Sequence, residues 1–258
     1  MSAKNSGGKR AARERMAEQR EHQRAAEKRR RTVLAVLSVL GVLVVAGGIA
    51  VLVNNNGDEG SESDGPLVYP KHTAGKDRLA IIDGRSAAPV TLTVYEDFRC
   101  PACQAFEKTY SKTIHELVDS GQLKAEYRLV TLIDNNLKGH GSLNAANAAA
   151  CSAGSDDFRA YHDVLYANQP PESTDDYGDK DKLKELAKKV PGLDTKDFAD
   201  CVDDGRYNPW VVKSDKAFMT SGHDSTPTVL LDGKSIFGQG LDLTPEKLKQ
   251  QVAAAAKG

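Results

Sequence analysis

Residues 90–117 constrain this chain more than any other stretch. An apolar, β-branched alternation, Val90-Thr91-Leu92-Thr93-Val94-Tyr95, runs toward Cys100-Pro101-Ala102-Cys103, after which Phe106, Tyr110, Ile114 and Leu117 recur on one helical face. A strand that gives way to a helix around a Cys-x-x-Cys commits the region to an α/β arrangement. It also sets the first sulfur against unpaired backbone N–H groups at the positive end of the helix dipole, which lowers a thiol pKa. Pro101 suits the first helical turn, where its missing N–H costs nothing. A thiolate that is stabilised and within reach of solvent is a redox nucleophile, so the motif reads as a thiol–disulfide exchange site with Cys100 attacking and Cys103 resolving. The competing readings are a metal clip and an ordinary structural disulfide. A zinc site usually adds a second Cys-x-x-Cys or a His pair. Here His115 and His140 lack ligand spacing to the motif, and Cys151 and Cys201 are isolated. No metal is assigned.

The net charge of −1 conceals an asymmetry: residues 1–31 hold 11 Lys/Arg against 4 Asp/Glu, and the remainder 24 against 32. Between the basic tail and the acidic body, Thr32 to Val53 carries no charge. Its 22 residues span about 33 Å as a helix, enough to cross a bilayer core. Lys28-Arg29-Arg30-Arg31 abuts its start and a polar, acidic stretch follows it, so the positive-inside rule puts the N-terminus in the cytoplasm and everything after Val53 outside. A cleaved signal peptide is the alternative, but its apolar region is usually only about 7–15 residues. The expectation is a retained single-pass anchor with lipid as one partner of the chain. The tail reads as a topology determinant with some attraction to anionic headgroups, and no nucleic-acid partner is assigned.

All four cysteines lie beyond the apolar run, which suits an oxidising compartment. Four cysteines allow three connectivities. Pairing Cys100 with Cys103 leaves Cys151 and Cys201, both at helical positions with buried neighbours, as a structural disulfide. Residues 54–76 read as a flexible linker and 77–258 as one folded domain. Within it Leu79–Asp83 and Val90–Glu96 read as strands, Pro101–Ser120 as a helix and Leu123–Leu132 as a strand parallel to the second. Short helices follow over Leu143–Cys151, Asp156–Tyr166, Lys180–Val190, Thr195–Asp203 and Pro209–Ser221, a helical insertion over about 140–221. Thr228–Leu231 and Ser235–Phe237 form a hairpin around Asp232-Gly233, and Thr244 caps a last helix through Ala256. The acid-rich Asp175–Asp181 fails calcium-loop spacing and reads as a solvated turn and helix cap. Trp210 reads as a packing anchor, and His223 as a loop histidine.

A βαβ half, a helical excursion and a ββα half make a thioredoxin fold with an inserted helical subdomain. Val94-Tyr95-Glu96-Asp97-Phe98-Arg99-Cys100-Pro101-Ala102-Cys103 resembles the active-site segment of DsbA-like thiol–disulfide oxidoreductases, especially the membrane-anchored ones of Gram-positive bacteria and actinobacteria. Gly222-His223-Asp224-Ser225-Thr226-Pro227-Thr228 resembles that family's second signature. The resemblance spans about residues 77–256. It implies a cis Thr226–Pro227 bond beside the redox pair, with the Thr226 backbone available to an extended client. It further implies an extracytoplasmic enzyme that introduces disulfides into unfolded or reduced exported proteins, needs no cofactor, and is reoxidised by a membrane protein of the DsbB or vitamin-K-epoxide-reductase type. A reductase or isomerase on the same fold, or a non-enzymatic metal- or protein-binding module, are the alternatives. Two departures stand out. The buried acid that several relatives carry six positions before the first cysteine is Val94 here, leaving Glu96 or Asp97, only one of which alternation can turn inward. No histidine stands between the cysteines, which points to a milder oxidant, while Arg99 offers a positive charge beside Cys100 that acts in the opposite sense.

Overall fold

A computed structural model describes residues 65–257 apart from 76 and 239. The basic tail, the expected anchor Thr32–Val53 and residues 54–64 of the spacer lie outside the described residues. Among the described residues no helix is long and apolar enough to cross a membrane.

Six strands form one sheet: β1 (Thr73–Ala74), β2 (Ala80–Asp83), β3 (Val90–Glu96), β4 (Leu123–Leu129), β5 (Thr228–Leu231) and β6 (Lys234–Ser235), in the order β1-β2-β4-β3-β5-β6. The pair β3–β4 is parallel and every other pair antiparallel. Between β3 and β4 runs helix α1 (Pro101–Asp119), completing the βαβ unit that parallel neighbours need. The strict alternation of β3 and β4 buries every second side chain. Register aligns Ile81, Tyr127, Val94 and Val229 as one row across the sheet, which forms part of the core. The other set of β3 includes Tyr95, whose ring meets Phe218 and His223 at centroid distances of 5.4 and 5.5 Å.

The insertion is built from α2 (Leu132–Leu137), α3 (Gly141–Ser152), α4 (Phe158–Ala167), α5 (Lys180–Ala187), α6 (Lys196–Asp203) and α7 (Asn208–Met219). Helix α3 is buried on all sides. Its run Ala145, Ala146, Ala148, Ala149 and Ala150 removes side-chain bulk, so α4, α6 and α7 approach it closely. Cys151 on α3 is bonded to Cys201 on α6, with Cα atoms 6.0 Å apart. The last helix, α8 (Pro245–Ala255), starts at Thr244, whose hydroxyl accepts from Lys247 N. Helix α8 packs on α1. Trp210 is fully buried and donates its indole N–H to Arg78 O at 2.8 Å.

Three expectations change. The strand expected to reach Leu132 stops at Leu129, because Asp215 accepts the N–H of Thr131 and Asp97 that of Ile133, both at 2.8 Å. Side-chain acceptors take those donors from the ladder and turn the chain into α2. The hairpin turns at Asp232-Gly233, both with positive φ, and its return strand is two residues long rather than reaching Phe237. The final residues of the expected 54–76 linker belong to the sheet: Thr73 and Ala74 pair with Ile81 and Ala80, and Tyr69 lies under Arg78 at 4.3 Å.

Candidate active site

Cys100 is the N-cap of α1, extended at φ −75°, ψ 118°, with Pro101 opening the helix. Both cysteines of the motif are free thiols. Cys100 is 7 % exposed and Cys103 fully enclosed. The Cys103 thiol donates toward the Cys100 sulfur, and this holds the Cys100 thiol down at about 6; burial acts the other way, while Thr226 and the backbone N–H groups of Cys103 and Ala102 add to the lowering. Burial, and then the bond it donates to Cys100, push Cys103 well above its ordinary value. One sulfur is a thiolate at neutral pH and the other a thiol. That asymmetry is what a nucleophile and its resolving partner require.

The Thr226–Pro227 bond is cis, and Cys100 Sγ lies 3.4 Å from Thr226 O, to which it donates only while protonated. Strand β5 begins at the next residue and pairs with β3, so the sheet fixes the distance from this turn to the helix start. His223, in the same loop, stacks near Tyr95.

Two polar devices tie the redox segment to the insertion. The Gln169 amide donates to Phe98 O at 2.8 Å and to Cys100 O at 3.0 Å. Arg99 is buried, paired with Asp134 at 2.6 Å and Asp175 at 2.9 Å, and donates to the carbonyls of Lys138 and Glu172. The same two carboxylates accept the first N–H groups of α3: Asp134 from Ser142 and Leu143, and Asp175 from His140 and Gly141. Gly139 permits this close approach, since its φ is +113° and a Cβ there would meet Asp175 at 2.5 Å. Arg99 is thus engaged away from the sulfur. The positive charge expected to act on Cys100 serves instead as a clamp between the motif and the insertion.

The expectation that only one of Glu96 and Asp97 faces inward is also corrected, because both are fully buried. Glu96 ends β3 on its inward face. At Asp97 the chain leaves the strand and the period of two no longer holds, so this side chain turns in as well. It accepts from Arg99 N and Ile133 N at 2.8 Å and from the Ser142 hydroxyl at 2.7 Å, while burial raises it to about 7. Glu96 pairs with His162 of α4 at 2.6 Å. Beside this pair stands Glu107 of α1, raised to about 8 by burial. Val94 sits in the apolar row.

Sequence reasoning missed Glu107, His162 and Gln169. Glu107 had a signal: Cys103, Glu107, Tyr110 and Ile114 follow the i, i+4, i+7, i+11 rhythm of the buried face, so a carboxylate interrupts an apolar stripe four residues after the second cysteine. His162 and Gln169 come from distant segments and had none. Glu96, Glu107 and His162 bring their polar atoms within 4.8 Å of one another. A tetrahedral ion with bonds of about 2.0–2.1 Å keeps its ligands roughly 3.3 Å apart. The 2.6 Å contact between His162 and Glu96 is instead a direct charge-assisted hydrogen bond. These three residues therefore fit an ion-pair cluster better than a metal centre.

A helix-capping thiolate over a buried thiol, faced by a cis-proline turn on a thioredoxin scaffold, defines a thiol–disulfide exchange protein. The family model described as thioredoxin matches residues 77–254, and the chain belongs to that family. A probable disulfide bond formation protein D from Bacillus cereus is 28% identical over 171 residues, 64% of this chain and 71% of the relative. The crystal structure of reduced DsbA from Mycobacterium tuberculosis is 28% identical with a TM-score of 0.60, covering 70% of this chain and 93% of that one. MdbA, a thiol-disulfide oxidoreductase from Actinomyces oris, shares the fold at 22% identity and a TM-score of 0.58, covering 75% of this chain and 95% of that one. The chain is DsbA-like, a thiol–disulfide oxidoreductase.

Proposed function

We propose that this protein introduces disulfides into reduced or unfolded exported proteins, working outside the cytoplasm through Cys100–Cys103. The observation that carries the direction is the Cys100 thiol held at about 6. A stable thiolate stabilises the reduced enzyme relative to its disulfide form, which makes the disulfide a willing oxidant. A client thiolate attacks Cys100, and the Cys100–Cys103 bond breaks with its electron pair leaving on Cys103. A second client thiolate then attacks the client sulfur of the mixed disulfide and expels Cys100 as thiolate. Meanwhile the Thr226 backbone, turned toward Cys100, offers hydrogen bonds to an extended client segment.

In this reading the chain is held to the membrane by Thr32–Val53 with residues 1–31 inside, and a membrane protein of the DsbB or vitamin-K-epoxide-reductase type restores the disulfide. The support for the anchor is the uncharged length and its basic flank. The test is oxidative refolding of a reduced, unfolded protein with several native disulfides, in a glutathione buffer whose poise is stepped. Catalysed gain of native disulfides, abolished by Cys100→Ser, is the expected result. Catalysis only of disulfide loss, at every poise, would reverse the assigned direction and make the protein a reductase.

A further inference from the structure

Between the end of β3 and the start of α1 the chain runs through Asp97, Phe98 and Arg99 to Cys100. Two of its N–H groups are served from within: Cys100 N donates to Asp97 O at 3.0 Å and Arg99 N to the Asp97 carboxylate at 2.8 Å. The carbonyls of Phe98 and Cys100 are held from outside by one side chain, the half-buried amide of Gln169, at 2.8 and 3.0 Å. Cys100 O also accepts Gln104 N at 3.2 Å, the first bond of α1. A primary amide carries two N–H donors, enough for one bond to each carbonyl. Asn would fall a methylene short, a hydroxyl has one hydrogen for two acceptors, and Lys would set a full charge against the backbone. Gln169 is itself placed by the end of α4. The Asn168 N–H and the Asn168 side-chain amide both return to Val164 O, at 3.1 and 2.7 Å, and Pro170 narrows the backbone choices of Gln169.

We propose that Gln169 is a positioning residue for Cys100: by holding the Phe98 and Cys100 carbonyls it aims the Cys100 sulfur at the N–H groups that open α1, so the helical insertion sets how strongly the pair oxidises. This rests on Cys100–Cys103 being the reacting pair with Cys100 as the nucleophile. The direction of the Cys100 carbonyl fixes its ψ at 118°, and with φ at −75° this decides where the sulfur stands relative to the backbone N–H groups of Ala102 and Cys103. Those groups are among the donors that lower the Cys100 thiol. Without Gln169 the Cys100 peptide keeps only its helical bond from Gln104 and can turn, and the donors then meet the sulfur less squarely. The amide hydrogens also offset the negative ends of two carbonyl dipoles that stand within two residues of the thiolate. A less stable thiolate means a less stable reduced form, and hence a weaker oxidant. Gln169 touches no reacting atom and acts through the backbone of Cys100.

The test takes two readings on the full chain: the thiolate midpoint of the reduced protein, and the position of the Cys100–Cys103 couple in a glutathione buffer. Gln169→Met keeps the length of the side chain and removes both donors. Its midpoint should lie about one pH unit above native, and at about pH 8 the glutathione equilibrium should move roughly tenfold toward the disulfide form. Gln169→Glu sets a negative charge against both carbonyls and should move both readings further the same way; it carries the comparison alone if Gln169→Met does not fold. The control is Gln104→Leu, which removes another amide bond between α1 and the insertion, from Gln104 to Tyr166 O at 3.0 Å, without touching the Cys100 carbonyl. It should leave both readings at their native values, which a role in docking alone would not. Native readings in the folded Gln169 variants, or an equal shift in Gln104→Leu, would overturn the positioning role. A native thiolate transition that survives Cys100→Ser would instead overturn the roles assigned to the two cysteines, and the role of Gln169 with them. Refolding that runs only toward disulfide loss would reverse the direction of the enzyme and leave Gln169 in place.

Discussion

Cys100 and Cys103 differ by one helical turn, and that turn decides their chemistry. At the cap, Cys100 collects the N–H groups of Ala102 and Cys103 and the thiol of Cys103 itself, whereas Cys103 lies inside the core, where the Glu96 charge also acts on it. Ultraviolet titration of the reduced protein should give a thiolate transition near pH 6 that Cys100→Ser removes; a midpoint above 8 would contradict the cap argument. The linked stability follows in sign. The folded thiol is depressed from 9.0 to about 6, so its contribution is present in full above the unfolded value and lost as pH falls through 6. The reduced form should therefore gain stability over the disulfide form between about pH 6 and 9. Cys103→Ser should accumulate mixed disulfides on Cys100 when presented with a cysteine-containing peptide, detected by mass. Failure of that variant to hold the peptide at Cys100, with capture at Cys103 in Cys100→Ser instead, would reverse the roles. At this scale the sequence was readable where chemistry is local, as for the two cysteines at a helix start. Arg99 was misread because its partners Asp134 and Asp175 come from segments 35 and 76 residues further on.

Helices and strands were legible wherever a periodic pattern ran unbroken, as in β3, α1 and α8, whose limits fall within a residue or two of expectation. The failure at α2 has a physical cause. The Asp97 and Asp215 carboxylates, far apart in sequence, intercept backbone donors that a strand would have used, and no local pattern reveals that. Helix α3 shows the reverse case: its alanine run announced a helix, but not one enclosed on every side. The disulfide between α3 and α6 closes a loop of 50 residues, worth about 4 kcal/mol on the chain-entropy account. Replacing Cys151 and Cys201 together with Ala should lower unfolding stability by up to that amount in a denaturant titration while dithiothreitol still opens Cys100–Cys103. An unchanged midpoint would mean the bond adds nothing. The Arg99 clamp belongs to this scale as well. Arg99→Met leaves two carboxylates facing each other without their cation, and a loss of about 3–5 kcal/mol is expected.

For the molecule as a whole, the uncharged run and the charge asymmetry make one claim about placement. Cells stripped of their wall and treated with external protease should lose the thioredoxin-fold domain and keep a short basic stub that sediments with membranes in high salt. A soluble form whose N-terminus falls near residues 47–54 would show a cleaved leader instead. The thioredoxin-like fold with its helical insertion was legible because two motifs in the right order bracket the insertion. How the insertion docks was not, since Gln169, Arg99 and Asp134 act across large sequence distances. The sheet's outer strands carry a last consequence. Strands β1 and β6 have two residues each, and β6 places exposed Lys234 and Ser235 at the rim. A catalyst that works among unfolded chains, as proposed for this one, is at constant risk of becoming their template, since any long bare rim invites an extended segment to zip onto it and aggregate. With both rims cut to two residues, a visiting chain finds little backbone to join there. In the proposed function it pairs instead at the turn beside the sulfur, reacts, and leaves.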